Sequence, residues 1–176
     1  MRRGPARPCP REKRPPVRHL SKTSALLAAV ALAATGTAVS EVLAPSSASA
    51  SDITTSRSNI WQSYVLANSR VGDTPYRYGG TSLWTGADCS GFTQTVYDKR
   101  SGANLPRTAE QQRRSVRAIS KRWARPGDLV FFGAPAYHMG IYAGNGYVVD
   151  ASRSGSTVKK RKIWTSDVRY GTLRAS

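Results

Sequence analysis

The sequence predicts an α+β fold, and three observations carry that expectation. Segments of helical periodicity come first, over residues 56–70 and from Cys89 onward. Short apolar stretches bounded by Gly and Pro follow after Ser120 and read as strands. A Gly144-Asn145-Gly146 turn joins two of these as a hairpin, so the strands run antiparallel. Helices followed by antiparallel strands form two layers around one core.

The first 50 residues read as a leader and not as part of that core. Residues 2–22 are rich in Arg, Lys and Pro, and an apolar run, TSALLAAVALAATGTAV, follows. Ala48 and Ala50 then occupy the minus-three and minus-one places of a small-residue cleavage site. A basic start, a short apolar stretch and an A-x-A end predict a secretory signal peptide over 1–50. A membrane-spanning helix needs about 20 mainly apolar residues, more than this run supplies. Residues 51–176 then form one domain that begins with a short N-terminal segment at 51–58; that length gives one core and too little for two.

In SRSNIWQSYVLANSR, Ile60, Tyr64 and Ala67 recur at helical spacing with Trp61 and Val65 alongside, so the aromatics are assigned to the core. The Gly-, Thr- and Pro-rich VGDTPYRYGGTSLWTGA reads as a loop. CSGFTQTVYDKRSG places Phe92, Val96 and Tyr97 on one helical face, and Gly102 is a stop signal. Thr108-Ala-Glu-Gln111 is a capping box opening a short basic helix. DLVFFG reads as a buried strand, HMGIYAG and GYVVDAS as the hairpin, and TVKKRKIW as a more exposed strand.

The formal net charge is +17, which favours polyanionic partners without choosing among them. Of two cysteines, Cys9 leaves with the leader, so Cys89 has none to pair with. An unpaired cysteine in an exported protein points to a reactive thiol. A free thiol ionises near pH 8.5, and a helix N terminus or a nearby histidine lowers that value. Cys89 stands where a helix begins, Asp88 is placed to cap it, and Ser90-Gly91 permits close approach of another segment. The unpaired amides of that first turn are oriented to stabilise an oxyanion.

His19 also leaves with the leader, so His138 is the sole imidazole available as a base. The third member must hold the ring nitrogen that faces away from sulfur. Asp150 meets that need if the hairpin turn has three residues. That turn pairs His138 with Ser152 and puts Asp150 one diagonal step away, with Gly146 at positive φ. A two-residue Asn145-Gly146 turn places Asp150 on the opposite face. One Cys and one His are too few soft ligands for a zinc site, so no metal or other cofactor is expected.

PYRYGG, TSLWTGADCSGF, LPRTAEQQ, PGDLVFF and HMGIYAGNGYVVDAS follow one another over 64–164. In this order they resemble the motifs of the NlpC/P60 cysteine peptidases. The resemblance implies a papain-like fold, with the nucleophile at a helix N terminus, and a peptidoglycan endopeptidase cutting the γ-D-glutamyl bond to diaminopimelate or lysine. It assigns Cys89 as nucleophile and His138 as general base, and places Tyr76 beside the oxyanion. Asp88 and Ser90 flank the nucleophile at positions that touch substrate, and Arg107 ties its loop to the Cys89 helix. The family's usual third residue is histidine; Asp150 is a departure that favours the thiolate–imidazolium pair.

The expected setting is extracellular and associated with a Gram-positive-like cell wall, with stem peptides as substrate and anionic wall polymers held by the basic surface. A monomer without nucleic acid or stable membrane insertion is expected. Alternatives are a papain-like amidase cutting the muramoyl–alanine bond and a non-catalytic wall-binding protein on the same fold. A nucleic-acid binder is disfavoured, because the aromatics are not interleaved with the basic residues.

Overall fold

The computed structural model describes residues 52–175, so the predicted leader with Cys9 and His19 lies outside the described residues. Helix α1 (Arg57–Ser69) opens on Ser56, whose hydroxyl accepts from the Asn59 amide at 3.1 Å. It buries Ile60, Ser63 and Ala67 and packs on α2 (Cys89–Ser101). The expectation that its aromatics are core needs correction. Trp61 is 53 % exposed and lies against half-buried Tyr64, with ring centroids 5.4 Å apart. Its position is one step beyond the stripe set by Ile60, Ser63 and Ala67, so hydrophobicity without phase misplaced it.

The loop between these helices contains a small hairpin, β1 (Thr81–Ser82) with β2 (Gly86–Ala87). In α2, Phe92, Val96 and Tyr97 are fully buried, as their spacing predicts. The helix stops at Gly102, whose φ of 63° is the left-handed cap that glycine adopts without strain. Helix α3 (Ala109–Arg114) begins with both legs of the expected box, Thr108 accepting from the Gln111 amide and Gln111 accepting from the Thr108 amide.

The remaining strands are β3 (Arg117–Ile119), β4 (Leu129–Phe132), β5 (His138–Gly144), β6 (Tyr147–Asp150), β7 (Lys159–Lys162) and β8 (Val168–Thr172). They form one antiparallel sheet in the order β3-β8-β4-β5-β6-β7. Alternate residues separate its faces. Leu129, Phe131, Met139, Ile141 and Val149 join Phe92, Val96 and Tyr97 of α2 in the main core. Val130, Phe132, Tyr142, Val148 and Tyr170 form a second cluster, packed against Ile163 and Val168. β5 and β6 therefore stand beside α2 on one side and β7 on the other. That placement brings the chemistry together.

Candidate active site

Cys89 is the first residue of α2, and the structure builds a rigid seat beneath it. Asp88 is the N-cap, its Oδ1 accepting from the Gly91 amide at 2.8 Å. The same carboxylate accepts from the Gly79 amide (2.9 Å), the Ser90 hydroxyl (3.2 Å) and Arg107 Nη1 and Nη2 (3.0 and 2.5 Å). Arg107 Nη1 also donates to Ser90 Oγ at 3.0 Å. Burial raises the Asp88 pKa, but the Arg107 bonds and the two amides outweigh it and hold the carboxyl below its usual range. Gly91 explains why the loop comes so close: a Cβ there would lie 2.1 Å from the Gly80 carbonyl oxygen. The PYRYGG loop is thus clamped onto the helix start from both sides.

Across the cleft, His138 opens β5 and Asp150 closes β6. His138 Nε2 and Asp150 Oδ2 are 2.6 Å apart, and Asp150 is fully buried. The register is Ile141 opposite Val149 and Tyr142 opposite Val148, as the diagonal placement requires. The turn producing it differs from the expected three-residue loop. Gly144 pairs with Tyr147 across the two residues Asn145 and Gly146, with φ of 51° and 77°, and a bulge lies between Tyr142 and Gly144. Two positive φ values are those of a type I′ turn, which suits strand twist. The bulge absorbs the extra residue, Ala143, and returns Asp150 to the face of His138. Gly146 has the positive φ expected of it.

Gly140 lies between the two on that face. A Cβ there would meet Val149 O at 2.8 Å and Asp150 Cβ at 2.9 Å. Its lack of a side chain lets Asp150 sit beneath the imidazole.

One residue of this site was not singled out from sequence. Arg161 on β7 donates to Asp150 through Nε (3.0 Å to Oδ1) and Nη2 (2.6 Å to Oδ2). Its guanidinium carbon lies 4.0 Å from the Trp164 ring centroid, and Trp164 stacks on Phe132 at 4.1 Å. KKRK reads as an exposed charged strand, and three of its four residues are exposed. The available signal was the carboxylate itself: a buried Asp beside a single imidazole calls for a further cation.

Tyr76, Asp88, Cys89, Ser90 and His138 line one cleft of about 610 Å³, with Arg107, Arg161 and Trp164 at its walls. Asp150 lies behind the ring. Burial is the largest influence on His138 and opposes its charge. Hydrogen bonds to Asp150 and Cys89, with their charges, overcome it and push the pKa up to about 9. Burial of Asp150 likewise works to raise its pKa, and His138 and Arg161 bring it below the usual value. Burial, and then the charges of Cys89 and Asp88, raise the pKa of Tyr76, which lines the same cleft as the thiol. With Nε2 committed to Asp150, Nδ1 is the nitrogen left for sulfur.

A thiol at a helix N terminus, facing an imidazole and a carboxylate carried by an antiparallel sheet, is the papain-like arrangement. The family model for NlpC/P60 matches residues 73–175, and the chain belongs to that family. It is 44 % identical over 107 residues to the gamma-DL-glutamyl hydrolase of Bacillus subtilis, covering 59 % of this chain and 26 % of that protein. It is also 44 % identical over 105 residues to the bifunctional muramidase/DL-endopeptidase CwlT of the same organism, covering 57 % and 30 %. The chain thus spans between a quarter and a third of these relatives. Among solved structures, the peptidoglycan hydrolase RipB of Mycobacterium tuberculosis superposes with a TM-score of 0.61 at 26 % identity, over 68 % of this chain and 67 % of that one.

Proposed function

We propose that this domain is a cysteine endopeptidase that hydrolyses the γ-D-glutamyl bond to diaminopimelate or lysine in peptidoglycan stem peptides. The observation that carries the reading is Cys89 and His138 in a single cleft, with Asp150 buried behind the ring and its Oδ2 2.6 Å from His138 Nε2. The similarity to proteins named as a gamma-DL-glutamyl hydrolase and a DL-endopeptidase supports the choice of bond. Residues 1–50 act as a signal peptide, and the domain 51–176 works outside the cell at the wall, where its basic surface holds anionic polymers.

In this mechanism His138 takes the Cys89 proton through Nδ1, and the thiolate attacks the γ-glutamyl carbonyl carbon. First-turn amides of α2 and the Tyr76 hydroxyl stabilise the oxyanion. His138 then protonates the leaving amine, and water hydrolyses the thioester with His138 as base. Asp150 holds the ring in its tautomer and stabilises the imidazolium. Asp88 and Ser90 act mainly by fixing the seat of the thiol, since their polar atoms already bond to one another and to Arg107.

Digestion of purified peptidoglycan followed by mass spectrometry of the fragments tests the reading. The wild type is expected to release peptides with new γ-glutamyl carboxyl ends, and Cys89→Ala to release none. Lactoyl ends freed on the glycan would instead indicate amidase cleavage, and equal release by Cys89→Ala would rule out the thiol mechanism.

A further inference from the structure

The carboxylate behind His138 is shared, and the sharing is asymmetric in a way the hydrolytic reading does not use. Asp150 has no solvent exposure and accepts from two cations' worth of donors on one edge. Oδ2 lies 2.6 Å from both His138 Nε2 and Arg161 Nη2, and Oδ1 accepts from Arg161 Nε alone at 3.0 Å. The guanidinium therefore takes two of the three contacts, in the fork geometry that an arginine offers a carboxylate. It is also held from behind: it lies on Trp164, which stacks on Phe132 at an interplanar angle of 9°, and Phe132 packs against the imidazole at 5.3 Å.

We propose that Arg161 is a positioning residue of this site: the guanidinium and the imidazole divide one buried carboxylate between them, so that the ring can surrender its proton during turnover. A buried carboxylate facing only an imidazole would bind the ring's proton tightly and make it a poor acid toward the leaving amine. A carboxylate facing nothing cationic would itself take up a proton in a site this dry. Arg161 meets both needs at once. It keeps Asp150 ionised, and its charge, next to the same oxygen as Nε2, opposes the imidazolium. The titratable and charged groups that bear on the ring are Cys89 from α2, Asp150 from β6 and, through Asp150, Arg161 from β7.

The inference rests on His138 being the catalytic base, and it makes a prediction opposite in sign to that for the carboxylate. Removing Asp150's charge lowers the ring's pKa, whereas removing Arg161's raises it. The measurement is NMR titration of the His138 ring in full-length protein, with His19→Gln to leave one imidazole. A Cys89→Ala background keeps the thiol from titrating alongside. Arg161→Gln is expected to move the midpoint up by about one pH unit, with Arg161→Lys keeping the charge and most of the wild-type value. With Cys89 intact, the alkaline limb of kcat/KM is expected to move the same way in Arg161→Gln. An unchanged or lowered midpoint in Arg161→Gln overturns the proposal. If that variant does not fold, Arg161→Met removes the charge while keeping an apolar stem to pack on Trp164. It is expected to shift the midpoint upward likewise, and a downward or absent shift there is equally decisive. Failure of the wild type to cut peptidoglycan would sink the hydrolase reading and leave this titration able to decide its own question.

Discussion

Two aspartates flank the cleft, each bonded to an arginine, yet they serve different ends. Asp88 accepts from two backbone amides, a hydroxyl and both terminal nitrogens of Arg107, supplied by α2 and the loops before and after it. Asp150 accepts from side chains only, one of them the imidazole. Both carboxyls are held below the usual range. The number of contacts does not separate frame from proton-handling machinery; the kind of donor does. A carboxylate tied to amides locks geometry, whereas one tied to a titratable ring responds when that ring changes charge.

The contrast can be broken most sharply at the glycine serving the Asp88 side. Gly91→Ala sets a Cβ against the Gly80 backbone oxygen, which no rotamer can relieve. The expected loss is about 3 kcal/mol, read as a lower urea midpoint, with activity falling as the loop is displaced. Asp88→Ala comes next, at about 2 kcal/mol, because it strands the Gly79 and Gly91 amides and Arg107 together. The same experiment on the other carboxylate should change titration more than folding. Asp150→Asn is expected to lower the alkaline limb of kcat/KM from about 9 toward the ordinary histidine range. The sign follows from the raised value: the ring is charged below that pH and loses its proton above it, so losing its counter-charge moves the loss downward. A limb that stays in place in Asp150→Asn would make Asp150 another Asp88. The smallest effect is expected at Thr108→Ala, about 1 kcal/mol of unfolding free energy from one leg of a capping box.

Local chemistry made much of this site legible in sequence. Asp88, Cys89 and Gly102 mark the ends of α2 by capping preference alone, and His138 and Asp150 sit on strands with clear turn signals between them. What escaped is non-local or depends on phase. β8 enters the sheet between β3 and β4, pairing Gly171 with both Ala118 and Leu129, and no local pattern encodes such a return. Trp61 is apolar but out of phase with its helix. Arg161 was hidden in a run of like charges, where only the buried needs of a residue on the neighbouring strand distinguish it from Lys159, Lys160 and Lys162.

The bulge at Ala143 has a consequence for homologous sequences. It takes up one residue at the rim of the hairpin, so losing that residue would straighten the strand and leave Tyr142 opposite Val148 as before. His138 and Asp150 would keep their places in space while coming one position closer along the chain. Insertions and deletions at this rim can therefore drift without crossing the site. A signature that counts residues between base and acid would overlook relatives in which the pair is intact.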